Sequence, residues 1–443
     1  MSVSPRRAAL SLLFDIERSG KYVNRALNTD RLGGFTPEER ALIASLVFTV
    51  TERRLSLDYY INAFTGRSGS DIDPYVRGVL RLGMAQVLWL SVPDYAAVNE
   101  SVALCRNPGE RAIVNAVLRR TVREKNKLPT PDRKKSLCRA QSVEYSVPAW
   151  ICRIFDERFG EEAAERILAA ANEIPPLTLA VNIKKISRDG FLDYLKKNGV
   201  DCAPTPLSPI GVYAFCGGDV TAIPGFSEGF FHVQDEASQL CATVLGISDA
   251  RVVADVCACP GGKSFTVAEG MDDGRVYSFD AVSSKLPLIT SGASRLGLAD
   301  RIEVALRDAR DPDPSLVGKC DRVICDVPCS GLGVLSKKPD LRYRDKDGVA
   351  ALPSLQLDIL RAASRYVAPG GVIVYSTCTL RREENEDVVS EFLHTAPEFS
   401  PVDFAFGDAD GARRSEGGMM TLLPGLDGTD GFFICPMRRV AGM

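Results

Sequence analysis

From Asp235 onward the chain alternates short β-type runs with helical patterns, and this alternation most restricts what it can fold into. The candidate strands are Val252–Val256, Arg275–Phe279, Ile302–Leu306, Arg322–Cys325, Val372–Tyr375 and Gly431–Cys435. Parallel strands need a crossover of a dozen or more residues between them, usually a helix, and helical patterns separate most of these runs. The alternation predicts a doubly wound, mostly parallel, Rossmann-like α/β sheet over residues 235–443. Ligands of such sheets bind outside the carboxyl ends of the strands, so the turns that follow the strands are where chemistry is expected.

The rest of the chain reads differently. The first 125 or so residues carry helical periodicity with no strand-period run, which predicts an all-α bundle. Thr36-Pro37-Glu38-Glu39 is a capping box with proline at the first helical position. One apolar helix carrying Leu42, Leu46, Val50, Leu57 and Ile61 is expected after it. Asp73-Pro74 opens another, with Val79, Leu82, Val87 and Leu90, and shorter helices are expected around 96–104 and 112–122. Residues 125–147 are polar, basic and proline-containing, and read as a linker. Val147 to Ala171 reads as helix, Leu177 to Asn182 as a strand and Ser187 to Lys197 as a helix, with short β-like pieces over 201–233. The partition is therefore 1–140, a helical domain with its basic linker; 141–234, a small α+β subdomain; and 235–443, the α/β domain. Gly407 to Gly418 reads as a small-residue loop without structure of its own.

Charge is distributed unevenly. The net charge is −3, yet residues 1–150 carry +8 and the remainder −11. The excess lies in Arg106–Arg139, with 11 basic and 3 acidic residues. Arg119, Arg120, Arg123 and Lys125 are its candidates for contacting nucleic-acid phosphates, against the plainer reading of a solvated helix face. No run approaches the roughly 18 apolar residues of a membrane span. Ala8 to Phe14 is too short an apolar stretch for a secretory signal, so a cytoplasmic protein is expected. Thirteen cysteines, an odd number, fit reduced thiols better than a disulfide framework. Two histidines, and cysteine spacings unlike the C-x₂-C of structural zinc sites, argue against a metal.

The turn after the first α/β strand is Asp255-Val-Cys257-Ala258-Cys259-Pro260-Gly261-Gly262-Lys263-Ser264. A glycine pair at a strand-to-helix turn lets a ligand approach the backbone, and a helix N-terminus offers N–H groups to an anion. The phosphate-loop and dinucleotide fingerprints both fail, because Cys257 and Cys259 stand where glycines are required. What remains suits a smaller anion, such as a methionyl carboxylate; the alternative is a tight turn with a solvated lysine. Asp280, about 20 residues on, suits the two hydroxyls of a ribose, and Asp308 an adenine. Asp326-Val-Pro328-Cys329-Ser-Gly331 ends the fourth strand, and Ser376-Thr377-Cys378-Thr379 the fifth. A nucleoside site, an acid and two thiols in one cleft suggest one chemistry. A thiolate adding to C6 of a pyrimidine makes C5 nucleophilic toward an electrophilic methyl, and an acid near ring N3 stabilises the charge that develops.

These segments, with Phe231-His-Val-Gln234-Asp235 before them and Asp430-Gly-Phe-Phe433 at the end, resemble the S-adenosylmethionine-dependent RNA cytosine-C5 methyltransferases. Asn115-Ala-Val-Leu118-Arg119 and its flanking helices resemble the NusB-like RNA-binding domain. The combination of the two is similar to the arrangement in the type B family of 16S ribosomal RNA methyltransferases, and the resemblance covers nearly the whole chain. It implies that Cys378 attacks C6, that Cys329 assists release of the adduct, and that Asp326 lies beside both substrate and cofactor. It implies that Cys257, Ala258, Cys259, Pro260, Gly261, Gly262, Lys263, Asp280 and Asp308 hold S-adenosyl-L-methionine. It implies a small α+β subdomain packed on the catalytic domain. It further implies a 16S RNA substrate, naked or partly assembled, with methylation at the base conventionally called cytosine 967, by a monomer that needs no metal. The chain departs from the family pattern at Cys259, Ser264, Val327 and Thr379, and at Val282, where a second acid is common. None of these removes a catalytic group. Three rivals fare worse. A silent RNA-binding protein would not need the full set of acids and thiols. An amino-nitrogen methyltransferase would need an Asn/Asp-Pro-Pro-aromatic loop. A nucleotide-dependent oxidoreductase would need the missing fingerprint.

Overall fold

The computed structural model describes residues 4–20, 22–67, 71–407 and 412–441. By its contacts the chain divides into two compact units, Met1–Glu173 with Leu335–Tyr343, and Ile174–Val334 with Arg344–Met443. The first is all helix, as the periodicity predicts. Prolines start its helices at Pro5, Pro37, Pro74 and Pro108, where the missing N–H costs nothing. The Thr36 capping box is present: Thr36 Oγ1 accepts from the Glu39 N–H at 3.3 Å, and Glu39 Oε2 from the Thr36 N–H at 3.0 Å. Leu46, Val47, Leu57, Ile61, Val79, Leu80, Val114 and Leu118 are buried in one core. Each such aliphatic side chain contributes about 1.5–3 kcal/mol on burial. Helices Pro74–Trp89 and Pro108–Glu124 approach closely at Gly83, where a Cβ would fall 2.6 Å from the Leu118 side chain.

Three expectations for this unit are corrected. The single helix through Leu42 and Ile61 is two, Pro37–Glu52 and Arg54–Thr65, because Arg53 leaves helical geometry at ψ 13°. The linker 125–147 contains a helix, Leu137–Glu144, whose Ala140, Gln141 and Val143 are buried; its composition hid a short amphipathic element. Val147–Ala171 is likewise two helices, Ala149–Phe159 and Glu161–Ala170, broken at Gly160, whose φ of 79° only glycine adopts readily.

Leu335–Tyr343 belongs to this helical unit although the chain on either side of it belongs to the other. Its Arg342 is fully buried. Arg342 Nη1 donates to Glu52 O (2.9 Å), Tyr145 O (3.3 Å), Ser146 O (3.1 Å) and Asn172 Oδ1 (3.0 Å), and Nη2 to Ala171 O (2.5 Å). Tyr343 donates to Thr51 O, and the Arg54 guanidinium lies 3.5 Å over its ring.

The second unit begins with a small α+β subdomain. Its antiparallel sheet runs β2-β3-β1-β4, from β1 (Leu177–Val181), β2 (Cys202–Pro204), β3 (Gly211–Ala214) and β4 (Phe231–Val233). Helix Arg188–Lys197 covers it through Phe191 and Leu195. It packs on the α/β domain, as the resemblance implies: Asn182 Nδ2 donates to Leu296 O, and Arg295 Nη1 to Phe226 O and Phe231 O.

The large sheet contains β5 (Val252–Asp255), β6 (Arg275–Asp280), β7 (Ile302–Leu306), β8 (Cys320–Asp326), β9 (Val367–Thr377), β10 (Phe399–Pro401) and, beyond two short pairing strands β11 (Ala405–Phe406) and β12 (Arg413–Arg414), β13 (Met420–Leu422) and β14 (Phe432–Arg439). The order is β10-β14-β9-β8-β5-β6-β7, with β13 beside β14. The five strands β5 to β9 pair in parallel and β14 antiparallel on β9, so the predicted doubly wound sheet is present. Its central strands are apolar on both faces, as helices on both sides require: Val253, Ala254, Val323, Ile324, Ile373 and Val374 are fully buried. The Gly407–Gly418 loop is corrected. Residues 408–411 lie outside the described residues, but the flanks pair as a ladder, Ala405 opposite Arg414 and Phe406 opposite Arg413.

Candidate active site

Strand order reverses direction between β5 and β8, and the turns after these two strands therefore flank one crevice. The turn after β5 tightens at Gly261, φ 113°, where a Cβ would fall 2.4 Å from the Phe265 ring. Helix Gly262–Gly270 starts there without a side-chain cap, so no capping side chain takes up its first N–H groups. A pocket of about 190 Å³ is lined by Gln234, Asp235, Ser238, Asp255, the Cys257–Pro260 turn, Gly262, Lys263 and Asp326. Two buried polar atoms of this lining, Asp255 Oδ1 and Gln234 Nε2, have no hydrogen-bond partner. Burial pushes the Asp255 carboxyl up to about 7, against the hydrogen bond that Ser264 donates to it at 2.7 Å.

Register brings the second half of the site together. Asp326 on β8 lies opposite Ser376 on β9, and Ser376 Oγ donates to Asp326 Oδ1 at 2.9 Å. Three residues past Asp326 and two past Ser376, the sulfurs of Cys329 and Cys378 stand 3.3 Å apart. The contact with Cys378, and then burial, hold the Cys329 thiol well above the ordinary cysteine range. Gly333 N–H donates to Cys378 O, and Gly431 N–H to Gly333 O; a Cβ at Gly333 would collide with the Gly431 carbonyl. Cys325, one residue before Asp326, is fully buried and packs, as strand alternation predicts.

The expected residues fall into groups. Cys257, Ala258, Cys259, Pro260, Gly262 and Lys263 share the pocket with Asp326. Lys263 Nζ is paired with Asp326 Oδ2 at 2.7 Å and lies 5.2 Å from the centre of the Phe432 ring. Burial opposes the Lys263 charge, but the Asp326 carboxylate outweighs it and holds the ammonium above its usual range. Asp280 ends β6 and accepts the Val282 N–H (2.9 Å) and the Cys259 N–H (3.3 Å), tying the two turns. Asp308 is half exposed, and hydrogen bonds from Arg310 hold its carboxyl down to about 2. Of the basic candidates, Arg120 pairs with Glu124 and Lys125 with Asp94, while Arg119 donates to Asn115 and Arg123 is exposed. A tally of charges along the sequence did not see these partners.

Sequence reasoning gave no role to Asp255, Gln234 or Glu384. Asp255 and Gln234 line the pocket, and their signal was position: Asp255 opens the turn already singled out, and Gln234 lies in the segment Phe231–Asp235 that leads into the domain. Among the described residues, no group of three or more His, Cys, Asp or Glu side chains is placed to hold a metal ion, and no helix is long and apolar enough to cross a membrane.

Comparison with known proteins fits this geometry. A family model described as 16S rRNA methyltransferase RsmB/F matches residues 242–438, the NusB family matches 3–123, and an RsmF/B-like ferredoxin-like domain matches 147–220. A probable ribosomal RNA small subunit methyltransferase B of Bacillus subtilis (strain 168) is 34% identical over 452 residues, covering 98% of this chain and 99% of that one. The chain belongs to the ribosomal RNA small subunit methyltransferase B family. A probable member from Synechocystis sp. is also 34% identical, over 99% of this chain and all of its own, and one from Salmonella typhi is 31% identical over 91% of each. The crystal structure of PH0851 shares the fold over 99% of this chain and 100% of its own, with a TM-score of 0.78 at 23% identity. That of a methyltransferase homolog from Pyrococcus horikoshii superposes with a TM-score of 0.60 at 26% identity, over 69% of this chain and 99% of its own. As a member of this family, the chain is an RNA cytosine-C5 methyltransferase with a NusB domain, a ferredoxin-like domain and a Rossmann-like catalytic domain.

Proposed function

We propose that the protein methylates C5 of a cytosine in 16S ribosomal RNA, the one conventionally numbered 967, through a transient bond between Cys378 Sγ and ring C6. The observation that carries this reading is the pair of sulfurs 3.3 Å apart at the ends of adjacent parallel strands, beside Asp326. In the proposed division of labour, residues 1–140 bind RNA, the part of 141–234 from Ile174 onward packs on the catalytic domain, and 235–443 carry the chemistry, in a cytoplasmic monomer acting on naked or partly assembled RNA.

S-adenosyl-L-methionine supplies the electrophilic methyl when bound. The residues of the pocket fit such a ligand. The capless helix start, with Lys263 in its first turn although its ammonium is paired with Asp326, suits its carboxylate, and the unpartnered Asp255 Oδ1 its ammonium, while Asp280 and Asp308, outside the lining, are the proposed nucleoside contacts. Cys378 attacks C6 as thiolate. Its neighbour Cys329 keeps the proton the two sulfurs share and donates it toward the ionised partner. The ring electrons move toward N3 as the S–C6 bond forms; a proton shared between Asp326, which Ser376 orients, and the paired Lys263 ammonium neutralises the charge that builds there, and returns to that pair as C5 takes the methyl. Once Cys378 is a thioether it no longer competes for that proton as an anion, and Cys329 releases it to solvent. After methylation the Cys329 thiolate takes the C5 proton, the electrons of that C–H bond restore C5=C6, and Cys378 leaves as thiolate. Attack from above the ring needs an unstacked base, which costs a few kcal/mol and least for an unpaired loop cytosine.

The test is covalency. Cys378→Ala abolishes methylation and forms no adduct, whereas Cys329→Ala accumulates a protein–RNA adduct stable to denaturation. An adduct with Cys378→Ala instead reverses the roles of the thiols. Bisulfite sequencing of 16S RNA from cells with and without the gene reads the target nucleotide, and an unchanged base 967 overturns that assignment.

A further inference from the structure

Beneath the two thiols lies a buried carboxylate that the mechanism above leaves without a role. Glu384 is fully buried, six residues after Cys378, at the end of the short turn Arg382–Glu384. Its Oε2 accepts the backbone N–H of Ser330 at 2.8 Å and Gln356 Nε2 at 2.9 Å. Its Oε1 accepts Arg381 Nη1 at 3.2 Å, and its carbonyl accepts the Tyr375 hydroxyl at 2.6 Å. Gln356 Nε2 also donates to Pro328 O, and Arg344 Nη1 to Cys329 O at 2.7 Å. The peptides on both sides of Cys329 are therefore tied down. Ser330 Oγ and Thr379 Oγ1, 2.6 Å apart, fasten the same loop to the residue after Cys378.

Every group facing the two Glu384 oxygens is a donor. A carboxylate, which only accepts, satisfies them all; an amide of the same shape turns its N–H₂ toward either Arg381 or the Ser330 N–H and leaves one side unpaired. Burying a charge is costly unless it is paired and fully hydrogen-bonded, and here the bonds go to the backbone of the thiol loop rather than to bulk packing. The Cys378 backbone is tied separately, by Gly333 N–H and by the Asn385 side chain bridging Thr377 Oγ1 and Thr379 O. Losing Glu384 thus frees Cys329 more than Cys378.

We infer that Glu384 is a positioning residue for the second half of the reaction, holding the Cys329 loop so that its sulfur stands where the C5 proton must leave. This rests on the roles of the two thiols proposed above. The experiment incubates full-length Glu384→Gln, Cys329→Ala and Cys378→Ala with unmethylated 16S RNA and S-adenosylmethionine, and reads turnover, adduct on a denaturing gel and cofactor affinity. Glu384→Gln is expected to lose about ten- to a hundredfold in turnover, to accumulate adduct as Cys329→Ala does, and to bind S-adenosylmethionine as the native chain does. The double variant with Cys378→Ala is expected to form no adduct. Lower turnover without adduct, while Cys329→Ala still traps one, overturns this role and leaves the thiol assignment standing. No adduct in Cys329→Ala overturns both. Gln356→Met, which keeps the carboxylate but removes the bond to Pro328 O, guards against misfolding of the first variant: partial accumulation of adduct supports the role, and none overturns it.

Discussion

Replacing Arg342 by Met keeps most of the volume of a fully buried side chain and removes its charge and donors. Five oxygens then lose the guanidinium, the backbone carbonyls of Glu52, Tyr145, Ser146 and Ala171 and the Asn172 side chain, of which Tyr145 O keeps the Asn172 Nδ2 donor at 2.8 Å. Hydrogen bonds to a charged group contribute roughly 1.5–3 kcal/mol each before the guanidinium's own desolvation is set against them. Burial disfavours the Arg342 charge and lowers its pKa, so part of that gain is cancelled. The remainder, with the stranded acceptors, gives a loss of about 3–5 kcal/mol, the range for removing one member of a buried charged network. For a unit of 150–250 residues each kcal/mol moves the midpoint by about 2–4 °C, so Tm should fall by roughly 6–20 °C. Scanning calorimetry of the full chain measures this, with Arg342→Lys recovering part of the loss through its ammonium. A fall below about 2 °C for Arg342→Met would refute the claim that this arginine anchors Leu335–Tyr343 in the helical unit.

Two further expectations follow from the charges. The buried Asp255 carboxyl titrates at about 7, above its unfolded value near 3.9, so the folded state binds the proton more tightly. Its contribution to stability is present below about pH 4 and is lost as pH rises through 7; Asp255→Asn should flatten the fall in Tm between pH 5 and 8, and an unchanged slope would show that another group governs it. In the basic window, Arg119→Ala and Arg123→Ala should each lower the salt slope of RNA binding by about 0.7. Lys125→Ala, whose ammonium is already paired with Asp94 at 2.8 Å, should lower it less. Equal effects at all three positions would mean that the ion pair opens on binding.

The sequence alone determined most of the elements and the chemistry-bearing turns, though it missed the helix Leu137–Glu144 and the breaks at Arg53 and Gly160. Strand-period apolar runs separated by helical ones favour a mostly parallel sheet, and the residues at the ends of its strands, from Cys257 to Lys263, Asp326 to Cys329 and Ser376 to Cys378, are local in the chain. Capping boxes and prolines are local too, and the Thr36 cap formed as predicted. What only the tertiary structure decided is long-range pairing. That Lys263 is neutralised by Asp326, 63 residues away, depends on β5 and β8 becoming neighbours. That Glu384 clamps the Ser330 amide depends on β8 lying beside β9 with Asp326 opposite Ser376. That Arg342 leaves its sequence neighbours and is buried among helices 170 to 290 residues earlier is invisible to any periodicity. Hydrophobic patterning records which face of an element is buried. It does not record which distant partner satisfies a buried charge, because that is settled by where backbone carbonyls and carboxylates meet once the elements pack.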